Sequence, residues 1–227
     1  MKRKEISKKE ALSIRGGGNP KRAIAPDAHI EDLINKPYVK LVETFKERIY
    51  SRYIDAAEYV DKNGDYNFVV TVICFVVLDL LSQYVYGVPS SSPDIFKQFF
   101  RDYFKEYNQN INPPIKSCFY SYKEKKWFEE TINDVADGIY HCFRCGVVHS
   151  GMILEYGRIN KLYKDEVITI KEWDKGKQEI NVNSSLLLLK IKEKFNDYIQ
   201  SLKDNDPILK QNFKKKLQFD WGLNVSE

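Results

Sequence analysis

Histidine is scarce in this chain: three residues in 227, with four cysteines beside them. Four cysteines in a chain of this length do not make the dense framework of a small secreted domain, so reduced thiols in a cytoplasm are expected. No apolar stretch follows the charged start Met1-Lys2-Arg3-Lys4-Glu5, which gives no expectation of a secretory signal. An excess of one charge is missing as well. Residues 1 to 36 hold nine basic and five acidic side chains, which accounts for the whole net charge of +4, and the rest balances. A body without basic excess argues against broad nucleic-acid binding and leaves only a local cleft. The glycines Gly16-Gly17-Gly18 have no Lys-Ser/Thr after them and no strand before them, which excludes a phosphate loop. No internal repeat is present.

Long hydrophobic runs are also few. Phe68 to Leu81 is nearly continuous apolar sequence, about twice the length of a typical strand, and reads as a buried helix. Asp79 interrupts it, and it is shorter than the about twenty apolar residues a bilayer needs, so no membrane association is expected. A carboxylate in such a run needs a partner. Two roles stay open for Asp79: an ion pair that fixes helix packing, or orientation of Arg144 or His149.

The remaining elements follow from spacing. Residues 1–36, broken by Gly16 to Gly18, Pro20 and Pro26, read as a flexible basic extension. Residues 37–227 read as one helical domain. Tyr38 to Val60 carries apolar residues every three or four positions and ends at Asn63-Gly64. Ser92-Pro93-Asp94 makes an N-cap, and Phe96, Phe99, Phe100, Tyr103 and Phe104 form a wide core-facing stripe. Asn108 to Pro114 reads as a loop. From about Lys126, the spacing of Phe128, Ile132, Val135, Ile139 and Cys142 predicts a helix that Ser150-Gly151 ends. Alternation at 166–170 and 179–182 predicts one small β-hairpin near 166–182. A helix capped by Asn183 or Ser184 and a short one from Pro207 follow, the latter with Lys214-Lys215-Lys216 on a solvated face. The fold class expected is therefore mainly all-α, with a single hairpin insertion.

The helix end Tyr140-His141-Cys142-Phe143-Arg144-Cys145-Gly146-Val147-Val148-His149-Ser150-Gly151 concentrates the chemistry. Arg144 and His149 are five apart. On an ideal α-helix that is a rise of about 7.5 Å and a rotation of about 140°, so the two side chains diverge. Either the helix distorts at Gly146 or the site is shared by two chains. His141, Cys142, Cys145 and His149 are a zinc-type alternative, but no second Cys/His pair lies elsewhere in the sequence. Cys142-x-x-Cys145 as a redox pair lacks the usual strand-then-helix setting. Both thiols also suit plain helix packing.

Arg144-x-x-x-x-His149, in the wording Arg-Cys-Gly-Val-Val-His-Ser-Gly at a helix end, resembles the signature of the HEPN superfamily. Leu78-Asp79-Leu80-Leu81-Ser82 and Tyr86-Gly87 are similar to the second helix of one bacterial branch. The resemblance spans roughly residues 37 to 205. It implies a HEPN-like helical bundle acting as a homodimer with a composite active site, and RNA as substrate. The implied activity is metal-independent cleavage by 2′-hydroxyl attack, giving 2′,3′-cyclic phosphate and 5′-hydroxyl ends without a cofactor. His149 would move the proton and Arg144 would stabilise the phosphorane, with Asp79, Tyr140 and Cys145 in support. By analogy alone it also implies a bacterial defence or toxin setting, with an antitoxin or regulator left unidentified. Gly151 stands where one subgroup of the family carries a tyrosine, and Cys145 where many members carry a polar residue. The alternative reading is a non-catalytic HEPN-like dimer that binds RNA, a nucleotide or a protein.

Overall fold

A computed structural model describes residues 23–25, 28–121, 124–154, 156–174 and 176–223, without the side chains of 23, 24, 119–121, 148–150, 173 and 174. The stretch 1–22 of the expected extension lies outside the described residues. In chain order the elements are β1 (Ala23–Ala25), β2 (Ala28–His29), α1 (Ile30–Leu33) and α2 (Tyr38–Ile49). A π-helical turn, Tyr50–Ile54, joins α2 to α3 (Asp55–Asn63). Then come α4 (Asn67–Tyr86), α5 (Pro93–Tyr103), β3 (Asn110–Ser121), β4 (Lys126–Asp134), α6 (Val135–Gly138) and a π-helical segment, Ile139–Ser150. The chain continues through β5 (Gly157–Ile159), β6 (Ile168–Asp174), β7 (Lys177–Val182), α7 (Ser184–Lys203) and α8 (Pro207–Trp221).

The all-α expectation is overturned. Helix is the majority, but among the described residues the strands form three sheets, β1-β2, β3-β4 and β5-β7-β6, so the fold is mixed α and β. The largest departure is β3-β4, an antiparallel hairpin in which Ile115 pairs with Ile132 and Ser121 with Lys126. It replaces both the expected loop at 108–114 and the first turns of the expected motif helix. The reason is legible in β4. Phe128, Glu130, Ile132 and Asp134 are buried or half-buried, and Trp127, Glu129, Thr131 and Asn133 between them are exposed. That is a period of two, but two of its four inward residues are carboxylates. Phe128 and Ile132 are four apart, a spacing that puts them on one face of a helix or of a strand alike.

Other expectations hold locally. Ser92 Oγ accepts the Ile95 N–H at 3.3 Å, with Pro93 in the first turn. Phe96, Phe99, Phe100 and Phe104 are all buried. Asn183 Oδ1 accepts from Leu186 N and caps α7. The hairpin near 166–182 is present as β6-β7, and β5 adds to β7 in parallel, Gly157 opposite Ile180.

The chain clusters into two compact units. The first takes residues 1–56, 80–91 and 195–227. Its centre is aromatic: the Phe45 ring lies 4.2 Å from Tyr84, 5.4 Å from Phe213 and 5.8 Å from Phe195. Lys216 is only 2% exposed here, contrary to the solvated lysine face expected at 214–216. Its ammonium donates to Asp220 at 2.7 Å and to the Pro89 carbonyl at 3.2 Å, and lies over the Tyr84 ring. A buried ammonium is tolerable only with such partners. Burial pushes the Tyr84 hydroxyl well above its usual range, and Asp220, which accepts from it at 3.1 Å, adds to the shift.

The second unit takes residues 57–79 and 92–194 and holds all the chemistry singled out above. It contains α5, the β3-β4 hairpin, the π-helical segment and the three-stranded sheet. Its packing runs through Phe75 and Phe143, whose rings stack 5.5 Å apart. Helix α4 gives residues 67–79 to this unit and 80–86 to the first. At 20 residues it is longer than the run 68–81 suggests. By length and composition it is apolar enough to cross a membrane, so the expected shortfall in length is corrected. More than half of its most apolar window is buried inside the protein, as for a core helix.

Candidate functional site

The helix carrying the motif begins at Asp134, whose carboxylate accepts the Asp137 N–H at 2.8 Å. One α-turn later it widens. From Ile139 to Ser150 it is π-helical, the register in which an N–H bonds the carbonyl five residues back, as the Gly151 N–H does to Gly146 O. Arg144 and His149 are five apart. In an α-helix they diverge, but here they stand one hydrogen-bonded turn apart on the backbone. The distortion anticipated at Gly146 is therefore a property of the whole segment. The side chain of His149 lies outside the described residues, as does that of Val148.

Gly146 sits where the chain doubles back. Gly151 ends the segment in the left-handed region, at φ +64°, and its N–H bonds the Gly146 carbonyl. Met152 N donates to the same carbonyl at 3.2 Å, and Leu154 N donates to Cys142 O at 2.9 Å. A Cβ at position 146 would lie 2.4 Å from the Met152 carbonyl oxygen, a backbone atom that a rotamer change cannot move. Gly146→Ala should therefore displace residues 151–154 and cost about 1–3 kcal/mol in denaturant unfolding. Wild-type stability in that variant would show that residues 151–154 are loosely held.

Buried side chains fix the inner face of the segment: Ile139, Cys142, Phe143 and Val147. On the other side Arg144 meets Asp79 from α4. Nε and Nη2 both lie 3.0 Å from Asp79 Oδ1, and the two side chains are 12% and 19% exposed. Burial opposes the charge on Arg144, but the Asp79 carboxylate outweighs it and the guanidinium is held above its usual range. The guanidinium also lies 5.6 Å from the Tyr140 ring centre, and Lys97 lies 5.3 Å from the same ring. Burial pushes the Tyr140 hydroxyl up, reinforced by a hydrogen bond to Cys145, so the phenol stays protonated at neutral pH. The structure thus brings together Arg144, Asp79, Tyr140 and Cys145.

A polar network continues from there. Lys97 reaches Asp137 at 3.1 Å and Glu130 at 3.7 Å. Arg101 reaches Asp134 at 2.9 Å and Asp137 at 3.1 Å. His141, 6% exposed, holds Glu130 through Nδ1 at 3.3 Å and Ser117 through Nε2 at 2.9 Å. Sequence reasoning gave His141 only a zinc role and missed Ser117, Glu130 and Lys97. Their signal was the inward carboxylate of β4, readable only once that stretch is known to be a strand. Among the described residues no group of three His, Cys, Asp or Glu side chains is placed to hold a metal ion, so His141, Cys142 and Cys145 do not converge as one.

No family model, curated protein or solved structure matches this chain.

Proposed function

We propose that this chain is a metal-independent endoribonuclease whose reaction is carried by Arg144 and His149, acting as a homodimer. The supporting observation is the π-helical segment, which puts the two positions one turn apart where an α-helix would splay them. Wide turns of this kind are rare and gather at functional sites. Asp79 fixes one edge of the guanidinium, and Tyr140 lies against its face. A guanidinium so oriented suits the paired oxygens of a phosphodiester. A histidine titrates near neutrality and can take the 2′-hydroxyl proton or supply one to the leaving 5′-oxygen. Arg144 then meets the charge that grows on the phosphorane.

One observation favours a second reading. Asp79 already neutralises Arg144, so the pair could serve only to hold two helices in a non-catalytic module that binds RNA, a nucleotide or a protein. Purified protein incubated with structured RNA in EDTA separates the two. Cutting that leaves 2′,3′-cyclic phosphate and 5′-hydroxyl ends is the expected result. Intact RNA across a broad substrate panel, with the protein folded and dimeric, would favour the binding module.

A further inference from the structure

Ser117, His141 and Glu130 come from three different stretches of the second unit and meet in one line. Ser117 on β3 and Glu130 on β4 are paired residues of the hairpin, so their side chains leave the same face side by side. His141, from the π-helical segment, lies against both. Its Nε2 is 2.9 Å from Ser117 Oγ, and its Nδ1 is 3.3 Å from Glu130 Oε2. The two nitrogens are used in the order that nucleophilic catalysis requires. A carboxylate on Nδ1 holds the proton there, which leaves the Nε2 lone pair for the serine hydroxyl. Lys97 Nζ, 3.7 Å from Glu130 Oε1, pairs with that carboxylate from α5. Ser117 also borders an open surface depression of about 370 Å³, whose lining includes Cys118, Trp127, Phe128, Glu129 and Tyr156. A depression of that size has room for a small ester.

We propose that Ser117, His141 and Glu130 form a second catalytic site, one that hydrolyses small carboxylic esters. Ser117 Oγ attacks the ester carbonyl carbon while His141 Nε2 takes the hydroxyl proton. The C–O bond to the alcohol breaks, and His141 returns the proton to the departing alkoxide. Water then attacks the acyl-serine and gives its proton to His141. The carboxylic acid leaves, and Ser117 recovers its proton. Ser117 and His141 are the catalytic residues, and Glu130 is a positioning residue that acts through His141.

The same bonds in a purely structural cluster would give no turnover, so the test is chemical. The intact protein is treated with an alkyl fluorophosphonate, digested and mapped by mass spectrometry. A covalent adduct on Ser117 is the expected result. Hydrolysis of p-nitrophenyl butyrate is followed in parallel. Ser117→Ala and His141→Gln should each lower it by about 10²-fold or more. Glu130→Gln should lower kcat with little change in KM, and Glu130→Asp should restore part of it. A folded protein that takes no label on Ser117, or a Ser117→Ala variant that hydrolyses the ester as fast as wild type, overturns the proposal. If that variant does not fold, the adduct map on wild type decides alone. Neither readout involves RNA, so the outcome is independent of the nuclease reading.

Discussion

His149→Ala is expected to slow RNA cleavage by about 10²- to 10⁴-fold, the range lost when a positioned proton-transfer group is removed. Arg144→Ala is expected to lose about 10²- to 10³-fold, as when one preorganised donor to a developing oxyanion is deleted. Arg144→Lys is the more informative variant. It keeps the charge but loses the planar fork that Nε and Nη2 present to Asp79. Point-charge attraction alone would leave Arg144→Lys near wild type, whereas a fork-dependent site leaves it close to Arg144→Ala. The check is single-turnover cleavage in EDTA, with circular dichroism confirming that each variant is folded. Wild-type rates in His149→Ala would remove the nuclease reading altogether.

Asp79→Ala carries the second large effect. It strands the Arg144 guanidinium, 12% exposed, without its carboxylate. Removing one member of a buried pair costs about 3–5 kcal/mol, because the survivor's desolvation is no longer offset. Both groups keep some solvent, so the low end, about 3 kcal/mol, is expected in urea unfolding. Asp79→Ala with Arg144→Ala removes the stranded charge, and the double variant should be destabilised less than the sum of the singles. A coupling of about 1–3 kcal/mol is expected. Additive losses would mean that the two groups do not depend on each other. Asp79→Ala should also slow RNA cleavage, with Arg144 present but no longer oriented.

How much of this was legible depends on what each residue announces. Serine, proline and glycine gave the start of α5 and the end of the motif segment, since Ser92, Pro93 and Gly151 act locally. Asp79 stood out as a carboxylate in an apolar run, and it pairs with Arg144, one of the two partners it was weighed against. The β3-β4 hairpin was hidden because β4 buries Glu130 and Asp134 among its inward residues, where hydrophobic patterning sees only polar sequence. Those carboxylates are affordable inward because Lys97 and Arg101 on α5 meet them, a long-range fact that no local window contains. The π-helical register was likewise invisible. Only the suspicion that an α-helix could not bring Arg144 and His149 together pointed toward it. Lys216 misled for the opposite reason: in a run of three lysines nothing marks the one that Asp220 and Pro89 will take inside.

The discontinuity of the first unit bears on how the chain is made. Residues 57–194 contain the whole of the second unit, interrupted only by 80–91, and they leave the ribosome as one stretch. Phe45 emerges long before either of its later neighbours, Phe195 and Phe213. A nascent chain therefore carries α2 with an apolar face that nothing from its own unit can fully cover until translation has passed residue 213. Domains generally assemble as their chain emerges, N-terminal first. Here the order reverses: the half that begins first is completed last, and as long as residues 195–213 are still inside the ribosome the aromatic cluster around Phe45 stays open, the kind of exposed apolar surface that chaperones bind.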